Sequence, residues 1–303
     1  MANRNLCFVS MLLPLIWGGT FLMVKIGIQG FSPINLAILR FLIAGVAFLP
    51  LFVSRRVVYR PIQKCDMLHA VVLLGALLSG QLLLNFVMES APTSLAGLVV
   101  QTAPLLTAIA SVLLGFEPFT PKVAVGSGVA FFGVAIVLGG DLVTKANAQF
   151  SSFTVVLLFM VPVAIAVYTV AGKVMFMKYG PANFSGQLLI AAALLSSLAT
   201  PFRPSLLSEI HSAPIQAWIG VLGLALLANV VALILWSVAL KHMSRSQVAS
   251  LMHLVPMVAV VLGWALLGEH VTLVTLAGGV SIMAGLVLIN RAPAELHEKR
   301  VLS

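Results

Sequence analysis

Two stretches decide the fold: SLAGLVVQTAPLLTAIASVLLGFEPFT, residues 94–120, and SQVASLMHLVPMVAVVLGWALLGEHVT, residues 246–272. Laid one on the other at a constant offset of 152, they align Ser94 with Ser246, Pro104 with Pro256, Glu117 with Glu269 and Thr120 with Thr272. The register continues into Gly126 with Gly278 and Gly133 with Gly285. Earlier in the chain the offset is 148, pairing Pro14 with Pro162, Lys25 with Lys173, Pro33 with Pro181, and Arg55 with Arg203. Apolar residues coincide cheaply in so apolar a chain. Proline, glutamate and two glycines at one offset do not, so the chain is read as a duplication with a period near 150.

The composition says where such a duplication lives. Of 303 residues, 61% are hydrophobic and only 8% are Asp, Glu, Lys or Arg, whereas a soluble domain is about a quarter charged. Mean hydropathy is +1.13. Too few charges exist to coat a water-exposed globule, which excludes the soluble, disordered and disulfide-scaffold classes. The two cysteines, Cys7 and Cys65, match no framework or metal spacing. The net charge of +9 is read as a loop bias rather than as nucleic-acid binding, because the basic residues lie between apolar runs.

Apolar runs and their breakers predict ten spans: 6–26, 35–53, 67–88, 94–114, 123–140, 153–175, 182–201, 215–240, 247–267 and 271–290. With the N-terminus inside, thirteen basic residues fall inside: Arg4, Arg55, Arg56, Arg60, Lys64, Lys122, Lys173, Lys178, Lys241, Arg245, Arg291, Lys299 and Arg300. Only Lys25, Arg40, Lys145 and Arg203 fall outside or within a span. Both termini are therefore expected in the cytoplasm. The first apolar run has no small-residue cleavage site and carries Lys25, so it reads as an uncleaved helix. The expectation is an all-α membrane protein of ten transmembrane helices, with a first five-helix repeat in residues 1–145 and a second in 146–303. Five is odd, so the second copy enters the membrane upside down. Inverted repeats support alternating access around a midplane site.

In helix one stand Trp17-Gly18-Gly19-Thr20-Phe21 and Lys25, followed by Ser32-Pro33 and Arg40. Ala91-Pro92-Thr93-Ser94-Leu95-Ala96 leads to Ala103-Pro104-Leu105 and Glu117. The second copy gives Ser246 to Ser250, Val255-Pro256, Gly268-Glu269, Gly278 and Gly285. This ordered set resembles the EamA-type branch of the drug/metabolite transporter superfamily over nearly the whole chain. The resemblance implies a ten-helix inverted-repeat fold with a central cavity, in the cytoplasmic (inner) membrane. It also implies export or exchange of small organic metabolites, commonly amino acids or related solutes, with multidrug efflux as the alternative. It implies no cofactor and does not fix the substrate. One departure is that Ile165-Ala166 stand where the first copy has Trp17-Gly18.

Polar residues inside spans are the candidate substrate site, because hydrocarbon makes them expensive. They are Gln81 and Asn85 on one face of helix three, Gln101, Tyr168, Asn229 with Trp236 seven residues on, and His253; Trp17 joins them as a wall. For each, the plainer reading is an interhelical hydrogen bond or packing. His253 is the one candidate for carrying a proton, though a lone histidine is more often an interhelical group. Arg40 lies seven residues past Pro33, about 10 Å deep at 1.5 Å per residue. Binding loop carbonyls near the outer face is the favoured reading for it; gripping a carboxylate is the other. Lys25 and Lys173 read as interface anchors or gates. Glu117 and Glu269 read as caps on the turns into helices five and ten. Pro104, Pro256 and Gly18 are candidate bending points, with static kinks as the alternative.

No Asp or Glu falls at a span centre, which disfavours a carboxylate-based proton antiporter. Intramembrane catalysis would need a nucleophile, base or metal cluster, and none is present in the sequence. A channel would need a continuous polar lining. The expected partners are a small organic solute and the lipid bilayer, with no nucleic acid, in a monomer or homodimer.

Overall fold

The computed structural model describes residues 12–114, 120–143, 152–236 and 254–290. Glu117, Ser246 and His253 lie outside them. Among the described residues the chain is helical and contains no strand. The helices are α1 (Leu12–Gly27), α2 (Pro33–Val53), α3 (Met67–Ser90), α4 (Thr93–Val100), α5 (Ala103–Leu113) and α6 (Pro121–Val143). Then come α7 (Ser152–Tyr179), α8 (Pro181–Ala199), α9 (Ser205–Ser212), α10 (Ile215–Leu222), α11 (Leu254–Leu267) and α12 (Leu273–Asn290). A π-helical segment, Gly223–Val231, continues α10. Among the described residues six helical stretches are long and apolar enough to cross a bilayer, and four more are shorter apolar helices. Large apolar side chains such as Leu194, Leu198, Phe132 and Trp264 point outward, as lipid-facing residues must. The chain is a multi-pass membrane protein.

Helix starts follow proline. Pro33 and Pro181 occupy the first turns of α2 and α8, where a missing N–H costs nothing and φ is already helical. The residue before Pro181 is Gly180 at φ 83, a conformation only glycine takes cheaply. The expected kink in span four is a two-residue interruption. α4 ends at Val100, and Gln101 and Thr102 turn before α5 begins. Pro104 would clash with the Val100 carbonyl four residues back, so the helix stops at Gln101–Thr102 and restarts with proline in its first turn. The Thr102 hydroxyl donates to the Val99 carbonyl at 2.7 Å. The short amphipathic α9, between α8 and α10, was not expected from the sequence.

Packing runs across the duplication. α1 lies against α11, α10 and the π segment; α3 and α5 lie against α7; α2 lies against α8; α6 lies against α12. The α6–α12 contact is made of glycines. A Cβ on Gly133 would come 2.7 Å from the Gly278 carbonyl oxygen. One on Gly285 would come 2.5 Å from that of Gly126. Backbone touches backbone there, which only glycine permits and which is the usual way to bring helices together in lipid. On α2–α8, a Cβ on Gly45 would strike that of Ala193.

Two loops are tied symmetrically. The one after α2 is held by Asn183 at the start of α8, which accepts from the Arg60 N–H and donates to the Arg60 carbonyl, both at 3.1 Å. The one after α8 is held by Asn35 at the start of α2, which accepts from Arg203 Nε at 3.0 Å and donates to the Ser205 hydroxyl at 3.1 Å.

Candidate functional site

Two turns into α2 stands a buried charge. Arg40 is 2% exposed. Its Nη1 donates to Gln81 Oε1 on α3, and its Nη2 donates to Asn229 Oδ1 on the π segment at 2.9 Å. The expectation that Arg40 binds loop carbonyls is thus corrected: it is joined to two of the polar residues proposed for the site. Its ring neighbour is Phe41, whose centroid lies 6.0 Å from Cζ. Among the described residues, neither Arg40 Nε nor Asn229 Nδ2 has a hydrogen-bond partner.

The π segment explains why Asn229 arrives there. Its wider turn shifts the register of the helix face, and it ends at Val231, between Asn229 and Trp236. The two were expected on one face by their spacing of seven. Instead Asn229 reaches Arg40, while Trp236 packs on Trp17, with ring centroids 5.4 Å apart. The tryptophan pair sits beside Leu13 and Ala232.

Gln81 and Asn85 share a face, as their spacing requires. Asn85, fully buried, donates to the Pro33 carbonyl of α2 at 3.0 Å, and its Oδ1 has no partner among the described residues. Gln101 is half-buried at the α4–α5 break. Tyr168 stands apart from this group, edge-on to Phe176 at 5.7 Å in a cluster with Met175 and Phe184. Gly18 is a contact point as well as a candidate hinge, because a Cβ there would meet the Val255 carbonyl of α11 at 2.8 Å. Pro256 is buried near the start of α11, and Pro104 is half-buried in α5. Trp264 is exposed, as a lipid-facing residue is, but Trp218 packs edge-on to Phe31 at 5.1 Å.

A second polar cluster closes one end of the bundle. Glu269 was expected to cap the helix that follows it. Gly268, at φ 67, turns the chain back, and the carboxylate instead accepts from the Thr93 and Ser94 N–H groups, the latter at 2.9 Å. It caps α4, in the other half of the chain, where bare N–H groups and the helix dipole favour an anion. Lys25 covers the adjoining end of α3, donating to the Met88 carbonyl at 2.8 Å and to that of Ala91 at 3.1 Å. Its repeat mate Lys173 is exposed. At the same end Glu209 of α9 accepts from the Ser32 N–H at 2.9 Å. Burial pushes the Glu209 carboxyl up, but hydrogen bonds from Asn35, Ser32 and Ser205 outweigh it and leave the group below its ordinary range. At the opposite end Lys178 pairs with Asp66 at 2.7 Å, and the Tyr179 hydroxyl donates to the same carboxylate. No group of three metal-ligating side chains occurs among the described residues.

Comparisons with known proteins fit this architecture. The model of the EamA-like transporter family matches the chain twice, over residues 5–139 and 152–291. A probable terminal-alkyne amino-acid exporter of Streptantibioticus cattleyicolor is 28% identical over 278 residues, covering 91% of this chain and 90% of that protein. A probable amino-acid metabolite efflux pump of Salmonella typhimurium is 28% identical over 296 residues, covering 94% of this chain and 95% of that protein. An inner membrane transporter of Escherichia coli is 27% identical over 282 residues, covering 89% and 86% respectively. A solved crystal structure, 20% identical, superposes with a TM-score of 0.62 over 95% of this chain and 99% of that one, a likeness of fold alone. With both halves matched by one family model, the chain belongs to the EamA-like transporter family.

Proposed function

We propose that this chain is a secondary carrier that exports a small, amino-acid-like solute by alternating access. In this reading ten spans form two inverted five-helix repeats in the inner membrane, with both termini in the cytoplasm. The observation that carries it is packing that survives exchange of the two halves. Under that exchange Gly133 against Gly278 becomes Gly285 against Gly126, and both contacts are made. Likewise α3 against α7 becomes α10 against α1, and the Asn183 tie becomes the Asn35 tie. A structure whose halves can trade conformations has two mirror-related states of nearly equal energy, which a carrier needs.

The amino-acid-like class is supported by the names of two relatives and by the amide-rich surroundings of Arg40. Export is supported by the same two names. Purified protein in liposomes preloaded with unlabelled amino acids is expected to accumulate the labelled amino acid by counterflow. Absence of counterflow for every solute tried would remove the carrier reading. The same vesicles, with and without a pH gradient, test coupling through His253: equal flux in both removes the proton.

A further inference from the structure

We propose that Arg40, held between Gln81 and Asn229, is the group that binds the carboxylate of the transported solute. This rests on the carrier reading above and deepens it from "amino-acid-like" to an obligatory carboxylate.

Arg40 lacks a charged partner among the described residues. A guanidinium removed from water is stable only if paired or fully hydrogen-bonded. The only ion pair among the described residues is Lys178–Asp66. The acids with described side chains are all committed or exposed elsewhere: Asp66 on Lys178, Glu209 on Ser32, Glu269 on the α4 terminus, and Glu89 at the exposed end of α3. Arg40 instead donates to two neutral amide oxygens. If its task were only to tie α2 to α3 and the π segment, a neutral donor would do it without the cost of a desolvated charge.

What remains unused on Arg40 and Asn229 themselves has one sign; the unused acceptor, Asn85 Oδ1, lies a turn away from Gln81 along α3. Arg40 Nε and Asn229 Nδ2 are both buried donors without an acceptor among the described residues. Two unspent N–H groups beside a full positive charge suit an anionic oxygen pair, and arginine takes a carboxylate through two parallel hydrogen bonds. Exchange is mechanically easy. A carboxylate outcompetes a neutral amide for a guanidinium, and only the Gln81 and Asn229 side chains must turn aside. No salt bridge breaks. The π segment places Asn229 on a helix stretch of a kind enriched at functional sites.

The test uses the full chain in proteoliposomes, with counterflow of the twenty common amino acids, their carboxamides, nucleobases and amphipathic cations. Three variants accompany the parent: Arg40→Gln, Arg40→Lys and Asn229→Asp. The expected result is counterflow of at least one amino acid, at least a tenfold loss for its carboxamide, and at least a tenfold loss in Arg40→Gln. Arg40→Lys keeps the charge without the fork and should fall between. Asn229→Asp guards against misfolding as an explanation. It sets a carboxylate beside Arg40, so it should raise the melting temperature yet cut amino-acid flux at least tenfold. A purely structural Arg40 predicts the higher melting temperature with flux intact.

Carboxamide moving as well as acid overturns the proposal, as does full flux in either Arg40→Gln or a stabilised Asn229→Asp. Flux of nucleobases or cations but of no amino acid overturns it while leaving the carrier reading standing. No flux of any solute removes both.

Discussion

At Arg40 a charge lies in the bundle with two neutral amide partners among the described residues. The other charged side chains with described bonds work at helix ends, where each meets a terminus or a loop. Glu269 is the clearest case. Replacing it by Gln removes the negative charge facing the N-terminus of α4 and weakens two N–H bonds. The expected loss is about 1–2 kcal/mol, read as a lower melting temperature in detergent. An unchanged melting temperature would mean the cap contributes nothing.

Glu209 gives a pH dependence with a definite sign. Its carboxyl titrates below the ordinary 4.5 in the folded chain. A depressed acid stabilises the fold above its unfolded value and loses that contribution as pH falls through the folded one. The tie between α9 and Ser32 is therefore intact at neutral pH. Melting temperature should drop more steeply below about pH 4.5 in the parent than in Glu209→Gln; identical slopes would contradict this.

Helix ends were readable where proline writes them. Pro33 and Pro181 set the starts of α2 and α8 within two residues of the expected bounds. Pro104 marked its span as interrupted, but composition alone did not tell a kink from a two-residue interruption. The π segment was invisible, because Gly223–Val231 has the residue content of any apolar helix, and its register shift undid the expected pairing of Asn229 with Trp236. The partner of Glu269 was equally hidden. A cap is legible only when it lies within a few residues of its helix, and this one crosses the two halves of the chain.

At the same scale the glycine contacts can be checked. Gly285→Val forces a side chain against the Gly126 carbonyl, and overpacking of this kind costs about 1–3 kcal/mol. A Cβ added to Gly75, on α3, would have nothing within 4 Å. Gly75→Ala should be neutral or stabilising by up to about 1 kcal/mol. The two substitutions shifting melting temperature equally would argue against the α6–α12 contact.

Over the whole molecule, the membrane class was legible because only 8% of the residues are charged, and the two halves read as repeats are the two stretches that one family model matches. The cluster around Arg40 was legible in part. Gln81 and Asn229 were named from their polarity and meet at Arg40. Tyr168 was named by the same rule and stands in a different cluster, since polarity inside a span does not say which neighbour it faces. Arg40 itself carried the signal, by its depth beyond Pro33, though the favoured reading gave it loop carbonyls.

Alternating access requires a single polar site reached in turn from each side. It is tested most directly by cysteine accessibility at Gln101, the half-buried residue at the α4–α5 break. With Cys7 and Cys65 replaced by Ser, Gln101→Cys is labelled by a membrane-impermeant thiol reagent in right-side-out and inside-out vesicles. Labelling from both sides is expected, with a transported amino acid changing the balance between them. Labelling from both sides at rates no solute alters, or from neither side, would contradict the alternating-access account.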